Sequence, residues 1–274
     1  MTRRAPRRCE PSHRPPLRRS LGQHHLRDGR ICAPLVAFLR LVAGDRVVEI
    51  GPGGGALTRE LLARGARVAA VELDPLWAFA LRSRAAGERS QGLAIVVGDA
   101  LALAWRRLPP GWRVAGNLPY NVGTAIVERL LREAPVGTRA GFLLQREVVD
   151  RMVARAGDAA YGALSLLVAA RARAERLAVV RPGSFVPPPK VESALVGLEL
   201  VSPPLPEAKM AELERLILVA FAQRRKSLRN ALAAGFGRAA AETALAAAGV
   251  AAGRRAEELG LDEFLALRVA LGNP

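Results

Sequence analysis

Asn117-Leu118-Pro119-Tyr120 places a carboxamide, a restrained backbone carbonyl and an aromatic face within four residues. An amine conjugated to a purine ring is a poor nucleophile, because its lone pair is delocalised into the ring. Hydrogen bonds from its two protons to the Asn117 side-chain oxygen and the Leu118 carbonyl would localise that pair and aim it. Pro119 fixes the backbone so that the carbonyl can point inward. Tyr120 offers a face against which an extruded base can stack. The chemistry that suits these pieces is movement of a methyl group from a sulfonium to an exocyclic amine. No strong base is required, since the proton leaves after the new bond forms, and placement of the reacting pair supplies most of the rate. Taken alone, the same four residues also fit a plain turn that closes a strand.

A second chemical signal lies upstream, in Glu49-Ile50-Gly51-Pro52-Gly53-Gly54-Gly55. Glycines there let the backbone bend sharply and approach a ligand at the positive end of the following helix. Glu72 falls 21 residues after Gly51, where an acid can accept from a ribose diol. Asp99 can accept from an adenine amino group or, equally, cap the turn after Gly98. The spacing Gly51-x-Gly53-x-x-Ala56 also fits a dinucleotide fingerprint, so a nicotinamide dehydrogenase stays open at this point.

These residues need elements that hold them at one edge. Short β-rich runs at 46–50, 68–73, 93–97, 112–115 and 141–144 alternate with helical stretches, beginning with 31–42 and 57–63. Such alternation predicts an α/β fold with a doubly wound, mostly parallel sheet. Runs 176–180 and 193–200 have no helix between them and are expected to close the sheet as an antiparallel pair. After Pro203, Pro204 and Pro206 everything reads as helical. The expected organisation is a disordered basic arm over 1–19, a catalytic domain over 20–202 and a small all-helical domain over 203–274. Trp77, Trp105 and Trp112 are expected to pack, not to stack on a ligand.

The chain has 274 residues, with 41 Lys+Arg against 25 Asp+Glu and a net charge of +16. That field favours a polyanionic partner, although only three cations are lysines and a coding bias toward arginine accounts for part of it. Residues 1–30 hold nine Arg against Glu10 and Asp28, whereas residues 205–274 hold ten cations against eight acids. Lys190, Arg224, Arg225, Lys226 and Arg229 are candidate contacts to the phosphates of such a partner, with a solvated helical face as the alternative. Two cysteines, Cys9 and Cys32, exclude a disulfide scaffold. No apolar run reaches membrane-spanning length, and no secretory signal is evident. The Arg-rich, acid-poor start leaves a mitochondrial presequence open. No metal site is expected.

From about Ser20 to Leu271 the chain resembles the S-adenosylmethionine-dependent ribosomal RNA adenine dimethyltransferases, and within them the branch acting on two adjacent adenosines of small-subunit ribosomal RNA. The residues that carry the likeness are Ser20–Leu26, Glu49–Gly53, Glu72–Asp74, Gly98–Ala100, Asn117–Tyr120, Leu144–Val148, Tyr161-Gly162, Phe185–Ser193 and Phe221–Asn230. The resemblance implies a Rossmann-like class I methyltransferase sheet and S-adenosylmethionine as cofactor. It puts His24, Leu26, Gly51, Gly53, Glu72, Asp99, Ala100 and Asn117 on cofactor positions. Asn117, Leu118, Pro119 and Tyr120 become the catalytic run, with Phe185 sandwiching the target base against Tyr120. The implied partner is small-subunit ribosomal RNA or an immature small subunit, met by a cytoplasmic monomer without membrane attachment. Two departures stand out. His24-His25 replace an amide and an apolar ring, His24 keeping a hydrogen-bonding group and His25 introducing one that titrates near neutrality, and Gly123 replaces a hydroxyl residue. Other readings are a large-subunit methylase of the macrolide-resistance type, against which the Pro187–Lys190 loop and Phe221–Asn230 argue, and a non-catalytic RNA-binding assembly factor.

Overall fold

Alternate residues of the central strands enter two different cores, and that alternation builds the molecule. Val48, Ile50, Val114, Phe142 and Leu144 join one buried cluster, while Val47, Ala115 and Leu143 join another on the opposite face. A sheet covered on both faces must be apolar on both, which is why these strands read as continuous hydrophobic runs. The computed structural model describes residues 15, 24–87, 91–223 and 226–272.

Within it, β2 (Arg46–Ile50), β3 (Arg67–Glu72), β4 (Leu93–Val97), β5 (Arg113–Asn117) and β6 (Arg139–Gln145) are parallel, and β7 (Ala172–Val180) and β9 (Ser193–Leu200) are antiparallel additions. Strand order is β4-β3-β2-β5-β6-β9-β7. The antiparallel closure follows the expectation, with β9 inserted between β6 and β7. Two-residue strands β1 (His25–Leu26) and β8 (Phe185–Val186) form a separate antiparallel ladder.

Helices α2 (Ala56–Ala63) and α3 (Pro75–Gly87) follow β2 and β3, and α4 (Gly123–Glu133) follows β5. On α4, Ile126, Val127, Leu130 and Leu131 recur at helical spacing and are all buried. Each contributes roughly 1.5–3 kcal/mol of burial free energy. The first helix is shorter than the 31–42 expected. A 3₁₀ turn over Gly29–Cys32 leads into α1 (Ala33–Phe38), and Arg40, at φ +50°, leaves the helical region. Beyond it the Val42 amide donates to Asp45 Oδ2 at 3.0 Å, forming a surface turn.

A third core unites Tyr161, Leu166 and Ala170 with apolar residues of α7 (Glu207–Phe221), α8 (Leu228–Phe236), α9 (Arg238–Ala247) and α10 (Leu261–Gly272). Tyr161 Oη donates to the Leu259 carbonyl at 2.8 Å. Buried Arg171, just before β7, pairs with Glu207 at 2.8 Å and Glu214 at 3.3 Å on α7. Trp77 and Trp105 are buried packing residues, while half-buried Trp112 carries the Arg46 guanidinium 5.6 Å from its ring centre. The expected arm over 1–19 lies, apart from Pro15, outside the described residues, as do Ser20–Gln23 of the N-terminal motif, Arg224 and Arg225.

Candidate active site

The chain runs outward from β2 to β3 and β4, then returns to β5 on the other side of β2. Ligands of such sheets bind at that reversal, beyond the carboxyl ends of the strands. A cleft of about 800 Å³, measured to its open mouth, lies there. Its walls include His24, Gly51, Gly53, Glu72, Asp99, Ala100, Asn117, Leu118, Pro119 and Tyr120. Ile50 and Gly116 are directly paired, so the glycine turn after β2 and Asn117 at the end of β5 are neighbours by register.

Gly51, Gly53 and Gly55 all have positive φ (+64°, +46° and +73°), and α2 starts at the next residue, Ala56. At Gly53 a side chain is excluded twice over, by φ and because a Cβ would sit 2.9 Å from the His25 ring. Glu72 braces this turn. Its Oε2 accepts from the Gly53 amide and its Oε1 from the Asp74 amide, each at 3.0 Å. Each carboxylate oxygen keeps acceptor capacity for a ribose diol. Burial pushes the Glu72 carboxyl upward, opposed by these amide bonds. Asp99 caps the following turn by accepting from Leu101 N at 2.8 Å, so the capping role is real and coexists with its place on the cleft wall.

The run Asn117–Tyr120 has a geometry that its sequence only implied. Asn117 Nδ2 donates to the His24 carbonyl at 2.7 Å. That bond settles which end of the amide is which, and leaves Oδ1 as an acceptor with no hydrogen bond recorded among the described residues. The Leu118 amide donates to Leu143 at 3.1 Å, while its carbonyl accepts none from the described residues. Tyr120 Oη shares a hydrogen bond with Ser193 Oγ at 2.5 Å, and burial pushes its phenol upward, so it stays neutral. Against the Tyr120 ring lies His24, with centroids 5.2 Å apart and planes at 30°. His24 Nδ1 donates to the Pro187 carbonyl at 2.8 Å, tying the catalytic run to the proline-rich loop.

Two expectations change. Phe185 is fully buried and absent from the cleft wall; its pairing with Leu26 across the β1–β8 ladder turns it into the core, and His24 is the ring beside Tyr120 instead. Leu26 is also buried, and lines a smaller chamber under the glycine turn, not the main cleft. Of the candidate RNA contacts, Lys190 is exposed between β8 and β9, Lys226 is exposed before α8, and Arg229 is half-buried on α8.

Sequence reasoning gave no role to Glu49, Ser193 or the His25 ring. Glu49 is fully buried in the smaller chamber, its Oε2 has no hydrogen-bond partner among the described residues, and burial, reinforced by the Glu72 charge, pushes its carboxyl up to about 8. His25 packs edge-on to Trp77 at 4.1 Å and against Gly53, doing the packing work of an apolar ring. Only the position of Ser193 inside a quoted motif hinted at a part for it. The cleft suits an adenosyl sulfonium in its glycine cradle, in its two acids and in apolar walls from Ile50, Val71 and Leu73.

A family model described as ribosomal RNA adenine dimethylase matches residues 15–271. Ribosomal RNA small subunit methyltransferase A of Methylococcus capsulatus is 42% identical over 252 residues, covering 91% of this chain and 96% of the relative. The protein of the same name from Bordetella avium is 40% identical over 255 residues, covering 93% and 95%. Among solved structures, a dimethyladenosine transferase from Plasmodium falciparum superposes with a TM-score of 0.72 at 23% identity, over 89% of this chain and 96% of that one, which speaks to the fold alone. The 23S rRNA methyltransferase ErmE gives 0.68 at 29% identity, over 90% and 98%.

Proposed function

The chain belongs to the ribosomal RNA adenine dimethylase family, and from that premise we propose that it transfers methyl groups from S-adenosylmethionine to the exocyclic amines of two adjacent adenosines in small-subunit ribosomal RNA, giving dimethyladenosine. The observation that carries the reading is the pair of uncommitted acceptors at the sheet reversal, Asn117 Oδ1 and the Leu118 carbonyl, with the amide locked in orientation by His24. Relatives near 40% identity are named for the small subunit, which favours this substrate over the large-subunit one.

Glu72 would hold the ribose, Asp99 and Ala100 the adenine edge, and Gly51 and Gly53 the backbone-facing side of the cofactor. Bound there, S-adenosylmethionine supplies an electrophilic methyl carbon on a sulfonium that leaves as a thioether. Tyr120 stacks the flipped base, its ring held by Ser193. Asn117 Oδ1 and the Leu118 carbonyl accept hydrogen bonds from the two amine N–H groups, which localises the lone pair on nitrogen for in-line attack. The N–C bond forms, and the resulting ammonium then releases a proton to water. After one transfer a single N–H remains, so the second methylation proceeds with only one of the two acceptors engaged.

In the same reading residues 20–202 carry the transfer, and residues 203–274 dock RNA with Arg224, Arg225, Lys226 and Arg229, aided by Lys190. The chain acts as a monomer on an immature small subunit in the cytoplasm. Among the described residues no helix is long and apolar enough to cross a membrane. Incubation of under-methylated small subunits with labelled cofactor, then nucleoside analysis, tests the proposal. Label in dimethyladenosine of small-subunit RNA is expected. Unlabelled adenosine, or label only in large-subunit RNA, overturns it.

A further inference from the structure

The short strap His24–Arg27 joins the catalytic parts, and its last residue has no assigned task. Arg27 N donates to the Ser184 carbonyl at 2.9 Å and Arg27 Nε to the Phe185 carbonyl at 3.2 Å, so both backbone and guanidinium are pinned to the segment that leads into the proline-rich loop. Arg27 directly follows β1, three residues after His24 and two after His25, both of which line the cleft. Arg27 is nevertheless exposed. Arg30, three residues on, is by contrast neutralised by Asp28 at 2.6 Å. No carboxylate pairs with Arg27 among the described residues, and its two terminal nitrogens donate no hydrogen bond to them.

A fixed guanidinium with two uncommitted donors is suited to bidentate contact with a phosphate. We infer that Arg27 holds a backbone phosphate of the RNA strand whose adenosine enters the cleft, an assignment that rests on the proposed methyl transfer. Nε sets the plane of the fork, and the strap that carries it also carries the carbonyl that orients Asn117. The strap thus carries the phosphate grip and orients the amine grip on β5, which fixes the nucleotide at two points.

Binding of under-methylated small subunits across a range of salt concentrations tests this, with Arg27→Gln, Arg27→Lys and, as a paired-charge control, Arg30→Gln. Arg27→Gln should weaken binding about tenfold and reduce the log–log salt slope by about 0.7–0.9. Arg27→Lys should recover most of the affinity, Arg30→Gln should leave binding near wild type, and S-adenosylmethionine affinity by titration should hold in all three. Wild-type affinity and slope in Arg27→Gln overturn the inference. So does an unaltered slope accompanied by weaker cofactor binding, which would make Arg27 a brace of the strap. A wild-type protein that binds no small subunits overturns the rRNA reading itself.

Discussion

A hydrogen bond imposes the orientation of Asn117: with Nδ2 given to His24, the oxygen is the end that the proposed reaction assigns to substrate. Asn117→Asp keeps an acceptor but loses that bond and sets an anion against a carbonyl. It should therefore transfer methyl slower than wild type yet faster than Asn117→Ala, an ordering that initial rates with saturating cofactor will show. Glu49 makes a different kind of prediction. Its buried carboxyl is raised to about 8 from an ordinary 4.5, so the folded state holds a proton that the unfolded chain gives up. The stability this contributes is complete below about pH 4.5 and is lost as pH climbs toward 8, with Glu72 adding in the same direction. Urea midpoints without cofactor should fall from pH 5 to pH 8 in wild type, and fall less in Glu49→Gln. These two residues also differ in legibility. The chemistry of Asn117 was readable from its neighbours in sequence, whereas the state of Glu49 depends on burial beneath a turn that only the fold creates.

At the level of elements, the glycine turn is the part least able to tolerate change. Gly53→Ala meets both the positive φ and the His25 ring, and should cost about 1 kcal/mol of stability together with about tenfold in cofactor affinity. Adding His25→Ala removes the overlap but not the φ, so titration should show partial recovery. The strands were legible because their apolar runs are continuous and bounded by turn residues; the predicted limits of β2, β4 and β9 match the observed ones. The first helix was overextended because Val42 continues its apolar period, although its side chain is exposed. Phe185 was misplaced for a more instructive reason. Its burial follows from the β1–β8 ladder, which pairs residues far apart in sequence, and two-residue strands have no local periodicity to read.

Across the whole molecule, the sheet and the C-terminal helices meet through a few polar ties set in apolar surroundings. Tyr161→Phe removes the bond to Leu259 and should lower unfolding free energy by about 1 kcal/mol, read as a shift in denaturant midpoint. The two cores on the sheet and the helical third were foreseeable from the change of pattern after the proline cluster, but Tyr161 and α6 (Ala163–Ala169) packing into the third core was not, because local sequence does not say which neighbour a helix faces. The account as a whole turns on the amine grip at the sheet reversal. Single-turnover methyl transfer to under-methylated small subunits, wild type against Asn117→Ala with cofactor saturating in both, isolates that step. A fall of about a hundredfold or more in rate, with cofactor affinity retained, is the predicted result; a rate within about threefold of wild type would contradict it.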